Sequence, residues 1–201
     1  MELPKTFLRY AALYEAHGFH LYLVGGSSRD LLLGKVPVDL DFATDATPEE
    51  EKAFLPNCID RYASFGSIQV KEEGQTIDIT TFREEGDYKD HRHPGFVRFV
   101  RDPLLDSVRR DFTINALYID KEGKILDFHE GRNDLEGKTI RFIGDPKKRI
   151  EEDPLRILRA YRFAKRLGFK IEEGTLNALK ENEELLETLN PEKVKMERNK
   201  E

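Results

Sequence analysis

Apolar positions recur at helical spacing from the start of the chain, where Phe7, Ala11 and Tyr14 mark one face of a helix over residues 4–18, stopped by Gly18. The pattern turns strand-like over residues 20–24 and is ended by Gly25-Gly26. A short helix follows through Leu31, Leu32 and Leu33, closed by Gly34. Residues 38–43 form the next predicted strand. Thr47-Pro48-Glu49-Glu50 then reads as a helix start, with an N-cap Thr, a Pro in the first turn and a Glu three residues on. Alternation over 67–70 and 76–82 predicts two strands joined by a turn at Gly74-Gln75. From 83 to 101 periodicity is lost to Gly, Pro, His and charges, which predicts a long mobile loop. Residues 103–112 read as a helix, and 116–119 with 124–128 as a hairpin around Glu122-Gly123. Beyond Gly144 the pattern is helical throughout, broken at Gly168, Gly174 and Pro191. These elements predict an α+β region over 1–144 followed by an all-helical region over 145–201.

Composition adds bounds to this picture. At 201 residues, 38% hydrophobic and 36% charged, the chain suits one ordinary domain or a catalytic domain with part of a second. No apolar run approaches the ~18 residues of a spanning helix, so no membrane partner is expected. The first residues lack the basic and apolar regions of a signal peptide. The single cysteine, Cys58, excludes an intrachain disulfide and a cysteine-rich zinc site. A cytoplasmic location is the expectation. The net charge of −6 conceals an uneven distribution: residues 145–170 carry nine Lys/Arg against four acids, and 172–201 nine acids against five bases. A polyanionic ligand therefore stays compatible with an acidic chain.

The candidate chemistry begins with Asp39 and Asp41, one residue apart and flanked by Val38, Leu40 and Phe42. On a strand, alternate side chains share a face, so the two carboxylates are expected side by side. An isolated Asp-x-Asp is also what a solvated strand edge supplies. Here Gly25-Gly26 stands fourteen residues upstream, directly after a strand, where the missing Cβ lets backbone N–H groups approach a phosphate. A third acid, Asp78, lies mid-strand between Ile77 and Ile79, costly there unless it serves a metal or acts as a base on an attacking hydroxyl. Two hard oxygen donors beside a phosphate loop suit Mg2+ and a nucleoside triphosphate. Downstream, Arg156, Arg159 and Arg162 recur every third residue with Asp153 three before them, an acceptor beside forked donors on one expected helix face. His91 and His93, in a loop without nearby Cys, read as polar loop residues rather than metal ligands.

Gly25-Gly26-x-x-Arg29-Asp30, then Asp39-x-Asp41, then Arg109-Arg110-Asp111-Phe112-Thr113-Ile114-Asn115-Ala116, then Glu152-Asp153-Pro154-Leu155-Arg156 through Ala164 resemble the head and neck motifs of class II tRNA nucleotidyltransferases. These are the CCA-adding enzymes and bacterial poly(A) polymerases of the polymerase-beta-like superfamily, and the likeness covers nearly all of residues 20–170 in the family's order and spacing. Ser64-Phe65-Gly66-Ser67-Ile68-Gln69-Val70 lacks the basic stretch of the poly(A) polymerases and is more similar to CCA-adding members.

The resemblance implies a polymerase-beta-like nucleotidyltransferase head with a mixed sheet, followed by a helical neck, the family's body and tail lying beyond Glu201. It implies transfer of CMP and AMP from CTP and ATP to the tRNA 3′ end, with C-only addition, A-only addition and polyadenylation as variants. A regulatory RNA-binding module is the non-enzyme rival, disfavoured because both metal acids are present. Asp39 and Asp41 would hold Mg2+, with Asp78 as the third catalytic acid. Gly25, Gly26 and Arg29 would contact the triphosphate. Arg110 and Asp111 would contact phosphate and ribose, with Asn115 in the same motif. Asp153 and Arg156 would read the base edge, and Arg159 and Arg162 would bind phosphates. Asp90 and Arg92 belong to a loop that moves between C and A addition in relatives. Neither pattern nor resemblance assigns an oligomeric state.

Overall fold

The computed structural model describes residues 2–55, 57–72, 74–88 and 94–199. In chain order, the first part runs α1 (Lys5–Ala16), β1 (Leu21–Leu23), α2 (Gly25–Leu32), β2 (Leu40–Thr44), α3 (Pro48–Lys52), β3 (Ile59–Tyr62), β4 (Ser67–Glu72) and β5 (Gln75–Thr81). It continues with β6 (Arg83–Gly86), β7 (Phe96–Phe99), α4 (Pro103–Val108), β8 (Leu117–Ile119) and β9 (Ile125–Asp127). The remainder is α5 (Gly131–Glu136), β10 (Thr139–Ile140), α6 (Pro146–Glu152), α7 (Leu155–Leu167), β11 (Lys170–Ile171), α8 (Glu173–Glu181) and α9 (Pro191–Arg198).

Compactness divides the chain into two units, neither continuous in sequence. The first comprises Met1–Glu84, Val97–Arg109 and Asn115–Phe128; the second comprises Glu85–Phe96, Arg110–Ile114 and His129–Glu201. The second unit thus begins well before residue 144.

The first unit is built on a seven-stranded mixed sheet in the order β3-β4-β5-β2-β1-β8-β9. Its one parallel pair, β2 with β5, sets Leu40 against Ile77, Asp41 against Asp78 and Phe42 against Ile79. Strand alternation decides the two faces. Leu40, Phe42, Ile68, Ile77 and Ile79 bury against Phe7, Tyr10 and Tyr14 of α1, with the Phe7 and Phe42 rings 5.3 Å apart and tilted. The other face carries Asp41, Asp78, Gln69 and Thr80, all half-buried. The predicted capping box is present: Thr47 accepts from the Glu50 N–H, and the Glu50 carboxylate accepts from the Thr47 N–H.

The second unit is mainly helical, but β11 pairs in parallel with β10, so the stretch after residue 144 is not wholly helical. A strand of two residues has no readable period. Gly174 does not interrupt a helix; it lies in the first turn of α8. Phe112 stacks on Phe142 at 4.9 Å and meets Phe163 edge-on at 5.5 Å.

Other differences from the sequence reading have local causes. The segment read as a loop over 83–101 contains β6 and β7, which pair as a separate two-stranded sheet. Asp90, Arg92, His91 and His93 lie outside the described residues. β3 escaped the pattern because it is an edge strand with all four residues exposed. α4 ends at Val108 rather than continuing to 112, and residues 113–115 form a 3-10 turn.

Candidate active site

The expected site residues gather in two clusters, one in each unit. In the first unit, Gly25 and Gly26 are not a loop but the opening turn of α2, a helix with no side-chain cap at its N-terminus. Amides at such a helix start lack intrahelical acceptors and favour an anion. Gly25 has φ +64°, and a Cβ there would stand 3.2 Å from Asp41 Oδ2. Glycine is therefore needed for the left-handed backbone and for the approach of the Asp41 carboxylate.

Asp39 and Asp41 do not both sit on the strand. Asp41 is the second residue of β2, while Asp39 is exposed in the bend before it. The two are tied together by Ser27, whose buried hydroxyl donates to the Asp39 carbonyl at 2.7 Å and accepts from the Asp41 N–H at 2.8 Å. Asp78 lies directly across from Asp41, and its Oδ1 accepts from Gln69 Nε2 at 2.7 Å. The polar row Asp41–Asp78–Gln69 thus crosses three adjacent strands on the face away from α1. Neither Ser27 nor Gln69 carries a signal of this in the sequence, since the packing of α2 brings the first to the acids and sheet register the second.

Arg29 is only 2% exposed. Its Nε donates to Asp30 Oδ1 at 2.8 Å, and its Nη1 to Asn115 Oδ1 at 2.9 Å. Arg29 and Asn115 are therefore brought together, with the guanidinium also lying under Gly26: a Cβ on Gly26 would be 3.6 Å from Arg29 Nη2 and 3.7 Å from Asp41 Oδ2.

In the second unit the motif residues satisfy one another. Arg156 is 4% exposed; its Nε donates to Asp111 Oδ1 at 2.7 Å, and its Nη1 donates to Glu152 Oε2 at 2.8 Å and to the Arg149 carbonyl at 2.6 Å. Arg159 Nη2 donates to Asp153 Oδ2 at 2.7 Å. Its Nε lies 2.8 Å from Asp111 Oδ2 but out of line for a hydrogen bond, so that attraction is electrostatic. Arg162 pairs with buried Glu197 at 2.8 Å. Arg149, missed in the sequence, donates to the Arg110 carbonyl at 3.1 Å and pairs with Glu152 at 2.6 Å. Asp153 is not on the arginine-bearing helix: it closes α6 with extended backbone, and its Oδ1 accepts the Leu155 N–H at 3.1 Å at the entry to α7.

The electrostatics follow from this packing. Burial alone would push the Asp111 carboxyl up, but Arg159 and Arg156 outweigh it and hold it at about 2. Burial works against the charge of Arg156 and Arg159, and Asp111 reverses that for both. Arg149 is instead lowered, by burial and by its neighbour Arg156. Tyr88, whose hydroxyl donates to Glu85 Oε2 at 2.6 Å, is raised by burial and by that bond; the Arg156 guanidinium lies 6.0 Å from its ring centroid.

Residues 21–141 match the model of the poly(A) polymerase head domain. The CCA-adding enzyme of Lactococcus lactis subsp. cremoris (strain MG1363) is 44% identical over 99% of this chain and 51% of its own length. Among solved structures, the Bacillus stearothermophilus CCA-adding enzyme in complex with CTP superposes with a TM-score of 0.87 at 38% identity, covering 98% of this chain and 48% of that one. A tRNA nucleotidyltransferase complexed with a primer tRNA and an incoming ATP analog gives 0.75 at 32% identity, over 93% and 54% of the two chains. This chain spans about half the length of the relatives it matches. With its mixed sheet, the aligned acids of β2 and β5 and this likeness along its length, the chain belongs to the poly(A) polymerase head-domain family.

Proposed function

We propose that this chain is the catalytic head and nucleotide-reading part of a CCA-adding tRNA nucleotidyltransferase. It transfers CMP and AMP from CTP and ATP to the 3′ end of tRNA and releases pyrophosphate, in the cytoplasm. The observation that supports this most is the direct opposition of Asp41 and Asp78 across β2 and β5, with the open start of α2 against Asp41.

In this reading the 3′-hydroxyl oxygen bonds to the α-phosphorus as the bond to pyrophosphate breaks, and Asp78 accepts the hydroxyl proton. The amides of Gly25 and Gly26 face the triphosphate, and Arg29 holds that turn from below. Asp111, Asp153, Arg156, Arg159 and Arg162 form the nucleotide-reading surface of the second unit, with Arg110 beside them. A base or phosphate binds there by exchanging into the existing ion pairs.

The donor set fits a divalent cation. Asp41 and Asp39 offer hard carboxylate oxygens, Gly25 leaves room beside Asp41, and Ser27 fixes the spacing between the two acids. Mg2+ characteristically binds through one or two carboxylates, substrate phosphates and water, and among the described residues no three His, Cys, Asp or Glu side chains form a closed metal cage. When bound, Mg2+ would supply charge neutralisation at the attacking and leaving oxygens.

The test is extension of tRNA ending before CCA, after C and after CC, with CTP and ATP supplied singly. The proposal requires C on the first two substrates and A on the third. Incorporation that persists after both Asp39→Ala and Asp41→Ala would sink the assignment of these acids.

A further inference from the structure

α4 is built inside out. Its buried residues are Asp106 and Ser107, while Leu104, Leu105 and Val108 are exposed. A surface helix normally seats itself by an apolar stripe. This one is seated by polar groups, and hydrogen bonds fix direction where apolar contact does not.

The Asp106 carboxylate is fully buried and gathers donors from three separate segments. Its Oδ1 accepts from the Arg83 N–H at 3.1 Å and from Arg109 Nε at 2.8 Å. Its Oδ2 accepts from the Tyr118 hydroxyl at 2.6 Å. A charge buried this deeply is costly unless its oxygens are occupied, so the donors and the acid hold one another in place.

The positions of those donors along the chain carry the argument. The first unit is left after Glu84, after Arg109 and after Phe128. Arg83 stands one residue before the first exit, and its guanidinium also donates to the Phe65 carbonyl. Arg109 is the last residue before the second exit. The Tyr118 ring meets Phe82 edge-on at 6.0 Å and Phe128, the last residue before the third exit, edge-on at 6.1 Å. One carboxylate thus serves all three exits, two directly and the third through Tyr118. Beyond the second exit come Arg110 and Asp111. Beyond the first comes Tyr88, whose ring centroid lies 6.0 Å from the Arg156 guanidinium within the second unit.

We infer that Asp106 is a positioning residue for nucleotide binding, fixing the stems from which segments 85–96 and 110–114 leave the first unit. This rests on the nucleotide-contacting roles proposed above for Arg110 and Asp111, and adds to them a residue that touches no nucleotide itself. With the stems released, the segments carrying Asp111 and Tyr88 sample more conformations, and a binding nucleotide must order them again.

The test follows backbone hydrogen exchange of the whole chain by mass spectrometry, with CTP binding measured by calorimetry in parallel. Asp106→Asn speeds exchange about tenfold or more in peptides over 83–88 and 109–115, and leaves β2 and β5 within about twofold of the parent. It binds CTP about fivefold or more weakly. Tyr118→Phe removes one donor and keeps the charge; it moves both readouts the same way by about two- to threefold, and decides the matter alone if Asp106→Asn does not fold. Exchange unchanged at the stems, or raised equally over the whole first unit, overturns the inference. So does CTP affinity unchanged in a folded variant whose stems exchange faster. A parent chain that does not bind CTP strikes the proposed function instead, and the exchange pattern still decides whether the stems depend on Asp106.

Discussion

Asp41 and Asp78 of the first unit stand half-buried on the sheet face away from α1, opposite one another and beside a helix start with no side-chain cap. Asp111, Asp153, Arg149, Arg156 and Arg159 of the second unit are drawn into a network where each charge meets an opposite one within the protein. The contrast shows how one chain divides its charged residues between chemistry and architecture. Asp41 and Asp78 are aligned by strand pairing rather than by mutual neutralisation with arginines of their own motif. Acids and arginines that neutralise one another first hold their own unit together, and any nucleotide must compete with those pairs.

That comparison can be tested by removing charges from either side. Asp41→Ala is expected to lower nucleotide incorporation about a thousandfold or more, several kcal/mol of transition-state stabilisation, while urea unfolding shifts by less than about 1 kcal/mol. A large stability loss would mean that this sheet face is as structural as the network.

The first unit also holds a buried acid with no basic partner among the described residues, the reverse of Asp111. Glu51 is fully buried, with Tyr14 donating to its Oε1 at 2.5 Å and Oε2 unpartnered. Burial pushes its carboxyl up from 4.5 to about 8, against the opposing hydrogen bond from Tyr14 and with some help from Glu50. The folded state therefore keeps a proton that the unfolded chain has released, and stability falls as pH rises from about 4.5 to about 8. Glu51→Gln removes this term. Its stability relative to the parent should increase by a few kcal/mol between pH 5.5 and 8.5, measured by chemical unfolding at about those two pH values. A constant difference would mean that Glu51 does not carry the proton.

Arg156→Met is expected to cost about 3 kcal/mol, because Asp111 and Glu152 lose a buried counter-charge. Thermal unfolding checks this, and C-versus-A choice among the folded molecules tests the proposed nucleotide-reading role separately. Gly25→Ala is the mildest case. The left-handed φ and the contact with Asp41 Oδ2 should cost about 1–2 kcal/mol, and under the proposed role of Asp41 incorporation falls more than stability.

Much of this organisation could be read from the residues. The capping box at Thr47, the alternation of Ile77, Asp78 and Ile79, and the hairpin between β8 and β9 are short-range patterns, and each appears where its spacing put it. The exposed edge strand β3 and the two-residue β11 did not show, since neither has a buried side to leave a period. The sequence shows Arg156 only as one of a row of arginines on one helix face, yet it lies 4% exposed. Its burial depends on Asp111, 45 residues away in sequence.

Spacing and residue type thus determined the strands, the helix starts, and the presence of acids and arginines suited to a nucleotide and its phosphates, because turns, caps and alternation are set by neighbours along the chain. The fold decided which of those charges stay available. Asp41 meets Asp78 through a parallel pairing, Ser27 spans Asp39 and Asp41 from another element, and Asp111 is claimed by Arg156 and Arg159. Each of these depends on sheet register or helix packing between distant segments, and local sequence carries no record of such pairings.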